Sequence, residues 1–205
     1  MSAPRRPRGV AFFDIDTQRD FMTPRGALYV PGARMVSRHI RALVAHAAGR
    51  GIRLLSSVDA HAEDDPEFAT FPPHCVAGTR GQAKIPGTVL ADRGVVAAEA
   101  RLSPAAMRSL LEHHQLVLEK QTYDVFDNPN TERILRAAEV TRCVVFGVAT
   151  DYCVRAAVLG LLQRGYRATV VADAIRGVAP DSTRRALAAM RSAGARFQTT
   201  SQILG

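Results

Sequence analysis

The chain has 205 residues, of which 47% are hydrophobic and 22% are charged, and its formal net charge is +8. This length suits one domain with a sizeable core, and the composition excludes a disordered or fibrous protein. No apolar run approaches the roughly 18 residues that a membrane-spanning helix needs, and no apolar signal segment follows Met1. We therefore expect a single cytoplasmic domain over residues 1–205, with residues 1–8 as a flexible basic tail.

The positive charge raises the question of nucleic-acid binding. The 27 Lys and Arg residues are scattered, with no dense basic run and no aromatic-interleaved RNA motif. We interpret them as an arginine-rich surface and predict neither a nucleic-acid nor a membrane partner. Cys75, Cys143 and Cys153 form no C-x-x-C pair, which suits a reducing compartment.

Strand-like and helix-like segments alternate along the chain. The predicted strands are apolar runs, and the predicted helices carry apolar stripes at helical spacing after capping residues. In chain order we expect strands at 9–16, 52–58, 116–120, 142–148, 168–172 and 197–204, and helices at 33–48, 103–114, 130–139, 154–164 and 181–193. This alternation predicts a three-layer α/β/α fold with Rossmann-like topology, in which helices cover both faces of a mainly parallel sheet.

Three chemically active residues lie at the carboxyl ends of three predicted strands: Asp16, Lys120 and Cys153. Parallel strands place their carboxyl ends along one edge, where open α/β sheets bind ligands, so these side chains could converge there. A cysteine could attack a carbonyl, a carboxylate could carry the thiol proton, and a lysine could stabilise both anions. The second lysine of the chain, Lys84, lies in a Gly- and Pro-rich loop and is expected to be solvated.

Cys153 follows a tight turn between a predicted buried strand and a predicted helix. Thr150 and Asp151 offer capping chemistry for that helix, whose positive end would favour the thiolate form of the cysteine. Backbone N–H groups of Ala149 and Cys153 are candidates for holding an oxyanion. The alternative for any lone cysteine is an inert, buried thiol.

A possible metal-binding set lies in the long irregular stretch from Asp59 to about residue 93. Asp59 and His61 are two residues apart at a strand end, so both point the same way in extended geometry. His74 follows the rigid segment 71–73, and Glu67 could supply a fourth group. Such a set suits zinc, with iron or manganese as alternatives, although the pattern alone could be coincidence.

These motifs resemble the isochorismatase-like cysteine hydrolases, most of all the nicotinamidase/pyrazinamidase group. The resemblance runs in order from about residue 10 to residue 197, nearly the whole chain. It rests on the segments Asp16-Thr-Gln-Arg-Asp-Phe21, Gly26-Ala-Leu-Tyr-Val-Pro-Gly32, Asp59-Ala-His61, Phe71-Pro-Pro-His-Cys-Val76 with Gly78-Thr79, Lys120, and Gly147-Val-Ala-Thr-Asp-Tyr-Cys153.

The resemblance implies a metal-dependent amidase that hydrolyses nicotinamide to nicotinate and ammonia through a cysteine thioester. Its implied catalytic triad is Cys153 as nucleophile, Asp16 as general base and acid, and Lys120 as third member. It also implies a cis peptide bond between Val148 and Ala149, next to the oxyanion hole. The remaining implied residues are the metal ligands Asp59, His61, His74 and Glu67, and the substrate-binding residues Phe21, Phe71, Tyr123 and Ala149.

The chain also departs from the family pattern. Ala60 stands where nicotinamidases often carry a large aromatic residue, and Asp14 puts a carboxyl where the family usually has an apolar strand residue. The substrate could therefore be another small amide or a ureido or carbamoyl compound, and Asp65 is an alternative to Glu67 as fourth ligand. A non-catalytic binding module is a further alternative, and the oligomeric state, including a homo-oligomer, stays open.

Overall fold

The computed structural model describes residues 9–205, so the predicted tail at residues 1–8 lies outside the described residues. Strands and helices alternate, as predicted. The strands are β1 Gly9–Ile15, β2 Arg53–Asp59, β3 Arg93–Val96, β4 Gln115–Lys120, β5 Val140–Val148, β6 Arg167–Arg176 and β7 Arg196–Gln198. The α-helices are α1 Arg19–Met22, α2 Ala33–Gly49, α3 Pro104–Glu112, α4 Thr131–Ala137, α5 Arg155–Gln163, α6 Pro180–Ser192 and α7 Thr200–Leu204.

The seven strands form one parallel sheet in the order β3-β4-β2-β1-β5-β6-β7. The central strands are mostly buried on both faces, as is typical of a covered parallel sheet; β1 and β5 are mainly apolar, whereas β2 and β4 also carry buried polar residues. The predicted α/β/α architecture is confirmed. That residues 1–205 form one domain stays a prediction from the sequence.

Helices bury an apolar layer against each face of the sheet. On one face, α2 packs Ile40, Leu43 and Val44 against alternate residues of the strands, among them Phe12 and Phe146. On the other face lie apolar residues of α3, α4, α5 and α6, which cover the intervening strand positions. No helix within residues 9–205 is both long enough and apolar enough to cross a membrane.

The predicted elements differ from the structure at both edges of the sheet. The four-residue edge strand β3 was not predicted, because it lies within the long irregular stretch and alternates exposed and buried positions. The predicted last strand, 197–204, is only partly correct. Thr199 forms a capping box with Gln202, so the chain leaves β7 after residue 198 and enters α7.

Candidate active site

Four neighbouring strands each end at a polar residue on the same edge of the sheet. In spatial order these strands are β4, β2, β1 and β5. β4 ends at Lys120 and β2 ends at Asp59, whereas Asp16 directly follows β1 and Cys153 lies in the turn after β5. β5 approaches β1 closely because Gly147 adopts φ +121°, and a Cβ there would overlap the carbonyl oxygen of Ile15. The fold therefore brings the predicted catalytic residues together.

Lys120 is the centre of this cluster. Its ammonium nitrogen lies 2.8 Å from Asp16 Oδ2 and 3.7 Å from Cys153 Sγ. It also pairs with Asp59 Oδ1, which sits beside it in the register of β2 and β4. Lys120 and Asp16 are fully buried, whereas Cys153 keeps 8% of its surface exposed and lines a cavity. The thiol is thus the member of the predicted triad that a ligand can reach.

Asp16 is held in a constrained position just beyond β1. Its backbone has φ 45°, which an aspartate adopts less readily than a glycine. Its N–H donates to Ser57 O at 3.2 Å, and Ser57 Oγ donates to Asp16 Oδ1 at 2.6 Å. Asp16 Oδ2 faces the Lys120 ammonium without a hydrogen bond of good geometry from any described residue. That oxygen is therefore the one able to accept a proton.

The two carboxylates that share Lys120 differ in acidity. Burial raises the pKa of Asp16 above its ordinary value, since the attraction of Lys120 only partly offsets it. Burial also opposes ionisation of Asp59, but Lys120 and His61 together bring the pKa of Asp59 below its ordinary value. The pKa of Lys120 is raised by the same two carboxylates in spite of burial, so the ammonium stays charged.

The nucleophile candidate is held as a neutral thiol. Burial raises the pKa of Cys153 well above its ordinary value, and the opposing effect of Lys120 does not overcome it. The prediction that this cysteine is a thiolate is therefore wrong for the resting site, because burial and the nearby carboxylates outweigh the attraction of Lys120. A base is needed to remove the thiol proton, and Asp16 is the candidate, because it contacts the same Lys120 ammonium as the thiol and its negative charge acts on the thiol.

The turn before α5 is built differently from the prediction. Residues Thr150–Val154 form one π-helical turn after the cis peptide bond between Val148 and Ala149. Neither predicted capping side chain caps this helix. The Asp151 carboxylate instead accepts hydrogen bonds from the N–H groups of Val178 and Ala179 and from Ser182 Oγ. The nucleophile turn is thus anchored to the segment that enters α6.

The predicted metal ligands also converge. Asp59, His61 and His74 are buried, and one ligand atom from each lies within 4.8 Å of the others. The Nε2 atoms of both histidines lie 3.9 and 4.0 Å from Asp59 Oδ2. His61 Nε2 has no hydrogen-bond partner among the described residues, although it is buried. An orphaned imidazole nitrogen facing a carboxylate and a second imidazole fits a divalent metal ion.

Neighbouring groups orient the two imidazoles. His61 Nδ1 lies 2.9 Å from Asp65 Oδ2, and His74 Nδ1 lies 2.9 Å from Pro72 O, so both Nε2 atoms are left for a ligand. Burial opposes protonation of His61, yet the carboxylates of Asp59 and Asp65 raise its pKa to about 9. Asp65 thus contacts Nδ1 of His61, whereas Nε2 of the same ring faces Asp59.

Glu67 lies beside the metal set. It belongs with His61 and Asp65 to a second group of potential ligands and lines the same cavity as Asp59 and His74. Its partial burial raises its pKa above the ordinary value. Its assignment as fourth ligand stays a prediction.

The cavity in front of the cysteine has a volume of about 100 Å³ and is mainly apolar. The predicted substrate-binding residues Phe21, Phe71, Tyr123 and Ala149 all line it. Tyr152 stands between two of these rings, with its centroid 6.2 Å from that of Phe71 and 6.5 Å from that of Tyr123. The cavity suits a small, flat molecule with one polar group directed at Cys153.

Comparisons with known proteins agree with this geometry. The sequence model of the isochorismatase domain matches residues 103–202. The nicotinamidase of Escherichia coli is 32% identical over 199 residues, covering 90% of this chain and 92% of the relative. The chain belongs to the isochorismatase family. Within this family it is nicotinamidase-like, and it is accordingly a hydrolase related to amidases.

Solved structures of the isochorismatase family place the fold in the same group. The zinc complex of the Pyrococcus horikoshii pyrazinamidase superposes with a TM-score of 0.76 at 27% identity, covering 93% of this chain and 99% of that one. The N-carbamoylsarcosine amidase of Thermoplasma acidophilum gives 0.74 at 26% identity, with coverage of 96% and 99%. One relative from Arabidopsis thaliana, 25% identical over 95% of this chain and 94% of its own length, is described as a probable inactive nicotinamidase. Family membership alone therefore does not fix the substrate.

Two polar residues near the site were missed or misjudged in the sequence. Gln18 exchanges two hydrogen bonds with the backbone of Asp59, each 2.8 Å long. Lys84 was predicted to be solvated, and this prediction is wrong. Its side chain is buried, with Nζ 2.9 Å from Asp14 Oδ2. The signal in the sequence was Asp14, since a buried carboxylate in a strand requires a cation nearby, but it did not identify Lys84 as that cation.

Proposed function

We propose that this protein is a metal-dependent cysteine amidase that hydrolyses nicotinamide to nicotinate and ammonia. The observation that carries the proposal is the single cluster in which Lys120 contacts Asp16, Cys153 and the metal-ligand candidate Asp59. The thiol opens into the aromatic cavity that a pyridine ring would fill. The relatives named nicotinamidase and pyrazinamidase support the same substrate class.

Acylation begins with transfer of the Cys153 proton to Asp16 Oδ2, the oxygen without a hydrogen-bond partner. The thiolate attacks the amide carbon, and the N–H groups of Ala149 and Cys153 hold the resulting oxyanion. Asp16 then returns its proton to the leaving nitrogen, so ammonia departs and a thioester remains. The raised pKa of Asp16 suits it to both roles.

Deacylation repeats the cycle with water. Asp16 removes a proton as water attacks the thioester carbonyl, and the tetrahedral intermediate expels the Cys153 thiolate. The proton on Asp16 returns to the sulfur, so the acid leaves and the thiol is regenerated. Lys120 stays protonated throughout and stabilises whichever of Asp16 and Cys153 is anionic.

Asp59, His61 and His74 would hold a divalent metal ion, for which zinc is the favoured identity and iron or manganese are alternatives. Glu67 is proposed as a fourth ligand. When bound, the ion would supply a Lewis-acidic anchor for the ring nitrogen of the substrate. Among the chain's own residues, Phe21 and Phe71 would sandwich the ring, and Tyr123 with Tyr152 would close the cavity mouth.

A second candidate is hydrolysis of a small ureido or carbamoyl compound by the same triad. The similarity to N-carbamoylsarcosine amidase favours it. In either case the partner is a small molecule. All three cysteines are free, which suits a reducing compartment, and we assign the activity to the cytoplasm.

The test is ammonia release from nicotinamide, pyrazinamide, benzamide and N-carbamoyl amino acids by the zinc-loaded and the chelator-treated protein. We expect both pyridine-type amides to be hydrolysed, benzamide to be poor because it lacks a ring nitrogen, and chelation to abolish turnover. Preferential hydrolysis of the carbamoyl compounds by the chelated protein would favour the second candidate.

A further inference from the structure

The chain contains only two lysines among its 27 basic residues, and both are buried beside aspartates at the end of β1. Lys120 pairs with Asp16 in the proposed triad. Lys84 pairs with Asp14, two residues earlier on the chain. The proposed function assigns no role to this second pair.

The second pair is a built polar centre. Lys84 Nζ lies 2.9 Å from Asp14 Oδ2 and donates to Thr17 Oγ1 at 2.8 Å, while Thr17 Oγ1 donates to Asp14 Oδ2 at 3.1 Å. Asp14 and Thr17 are fully buried, and Lys84 is 9% exposed. The side chains of Asp14, Thr17 and Lys84 thus contact one another in a closed triangle, and Asp14 and Thr17 lie on either side of Asp16 in the chain.

This triangle joins the backbone after Asp16 to the far end of the metal-ligand stretch. Ile85 N donates to Thr17 O and Arg19 N donates to Ala83 O, each at 2.9 Å. Gln18 forms an antiparallel bridge with Lys84. The side chain of Gln18 in turn holds the backbone of Asp59. Residues 17 and 18 are therefore fixed between Lys84 on one side and Asp59 on the other.

The pair is not fully satisfied, because Asp14 Oδ1 has no hydrogen-bond partner among the described residues. Ser56 Oγ approaches Asp14 Oδ2 only at 3.4 Å. Removing one partner of a buried pair leaves an uncompensated charge, whereas replacing both by apolar residues of similar volume is often neutral or stabilising. A pair that served stability alone could thus be replaced by two apolar residues.

We propose that Asp14 and Lys84 are positioning residues, which fix Thr17 and Gln18 so that Asp16 and Asp59 keep the geometry required at Cys153 and at the metal set. The ion pair acts through the backbone that follows Asp16 and touches neither the substrate nor the reacting sulfur. The effect on nicotinamide turnover rests on the proposed function, whereas the effect on alkylation of Cys153 does not.

The test compares the double variant Asp14→Leu/Lys84→Met with the parent protein at fixed pH. Thermal unfolding reports stability, and iodoacetamide alkylation of Cys153, followed on its own peptide by mass spectrometry, reports delivery of the thiol proton to Asp16. We expect the melting temperature to stay close to that of the parent while alkylation slows about tenfold or more. With nicotinamide, kcat should fall by a similar factor and KM should stay within about twofold, because misplaced catalytic groups affect the chemical step.

Two further variants keep the test decisive. Thr17→Val preserves the charges and the volume but removes the hydroxyl that joins them, and it should slow alkylation several-fold even if the double variant does not fold. Arg53→Met is the matched control, because Arg53 is a buried cation that donates to Leu111 O and His113 O at the opposite end of the sheet. It should lower stability without slowing alkylation of the protein that remains folded.

Parent-like alkylation in Thr17→Val and in a folded double variant would overturn the positioning role and leave a purely structural ion pair. Slowing in Arg53→Met equal to that in the double variant would overturn it as well, because loss of stability would then explain both. If no form of the protein, including the parent, hydrolyses nicotinamide, the proposed function fails while the alkylation rates still decide this inference.

Discussion

At the scale of single residues, the site depends on one ammonium group placed between two carboxylates of unequal acidity. Lys120 and His61 hold the pKa of Asp59 below its ordinary value, so this carboxylate stays charged and suits a metal, whereas Asp16, with its raised pKa, suits proton transfer. Two identical side chains thereby take different roles because their surroundings differ. The same ammonium lies 3.7 Å from the sulfur, so proton transfer to Asp16 leaves a stabilised thiolate.

Cys153→Ala should reduce amide turnover by at least about a thousandfold, because only the thiolate can form the acyl intermediate. Its fold and metal content should match those of the parent, since the residue removed is small and lies at a cavity. Steady-state ammonia release, circular dichroism and metal analysis check this. Cys143→Ala is the matched control, because Cys143 is buried in β5 with a pKa raised by burial to about 12. A variant at Cys143 that lost turnover equally would contradict the assignment.

Ser57→Ala should move the acid limb of the kcat/KM profile to higher pH. The Ser57 hydroxyl donates to Asp16 Oδ1 and lowers the pKa of Asp16, so its loss raises that pKa further. As pH falls through the pKa, Asp16 becomes protonated and can no longer accept the thiol proton. The shift should be about one pH unit, given the strength of hydrogen bonds to charged groups. Ser37→Ala on the exposed side of α2 should leave the profile in place, and an acid limb that moved down in Ser57→Ala would exclude Asp16 as the base.

The convergence of Asp16, Lys120 and Cys153 could be predicted because each lies at or just beyond the carboxyl end of a strand, and the carboxyl ends of parallel strands lie along one edge of the sheet. The partners of Lys84 could not be predicted in the same way. Lys84 lies 67 positions along the chain from its hydrogen-bond partner Thr17, in a loop whose composition suggested solvent exposure. Burial of a charged side chain depends on what the tertiary fold places beside it, which local composition does not record.

At the scale of elements, the nucleophile turn is connected to the segment before α6 by the Asp151 carboxylate. Asp151→Asn should lower both the melting temperature and kcat, because an amide accepts from the Val178 and Ala179 N–H groups less strongly than a carboxylate does. A loss of about 1–3 kcal/mol in unfolding free energy is expected from chemical denaturation.

Asp181→Asn serves as the control for that variant. Asp181 is an exposed residue of α6 paired with Arg184, and such surface pairs contribute little. Equal loss of unfolding free energy in the two variants would contradict the prediction that the Asp151 hydrogen bonds stabilise the nucleophile turn.

The segment between β2 and β3 carries a second element-scale prediction, about metal affinity. His61→Ala and His74→Ala should lose metal outright, and Glu67→Gln should weaken binding by about tenfold. Asp65→Asn should also weaken it by about tenfold or more, because Asp65 orients His61 through its Nδ1 atom.

Chelator competition followed by metal analysis measures these affinities. Asp64→Asn is the matched control, since it changes a neighbouring exposed acid. If Glu67→Gln binds metal as the parent does while Asp65→Asn loses it, the carboxylate that matters in this segment is Asp65 rather than Glu67.

The elements themselves were predicted best where hydrophobic periodicity is long and least well at the edges of the sheet. Helix α2 and strand β5 carry long apolar patterns and were placed within a few residues. Strand β3 has two inward residues, Gly94 and Val96, too few to reveal a period. Strand β7 stops at Gln198 because the capping box of Thr199 outweighs the apolar residues that follow.

At the scale of the whole molecule, the metal set joins β2 to the long segment that follows it, so metal binding should stabilise the native state. Adding zinc to the chelator-treated protein should raise the melting temperature, and the stabilisation should grow with the logarithm of the zinc concentration. At about 100 times the dissociation constant, the gain in unfolding free energy is about 2.7 kcal/mol. Differential scanning calorimetry checks this, and His61→Ala, in which the shift should disappear, is the control.

The central claim is that an acyl group passes through Cys153, and partitioning with hydroxylamine tests it most directly. Hydroxylamine competes with water for a thioester, so zinc-loaded protein incubated with nicotinamide should release nicotinohydroxamate together with nicotinate, in a ratio that rises with hydroxylamine concentration. Ammonia release should continue, and the Cys153→Ala variant should form neither product. Nicotinate and ammonia formed without any hydroxamate, or hydroxamate formed equally by Cys153→Ala, would contradict the account.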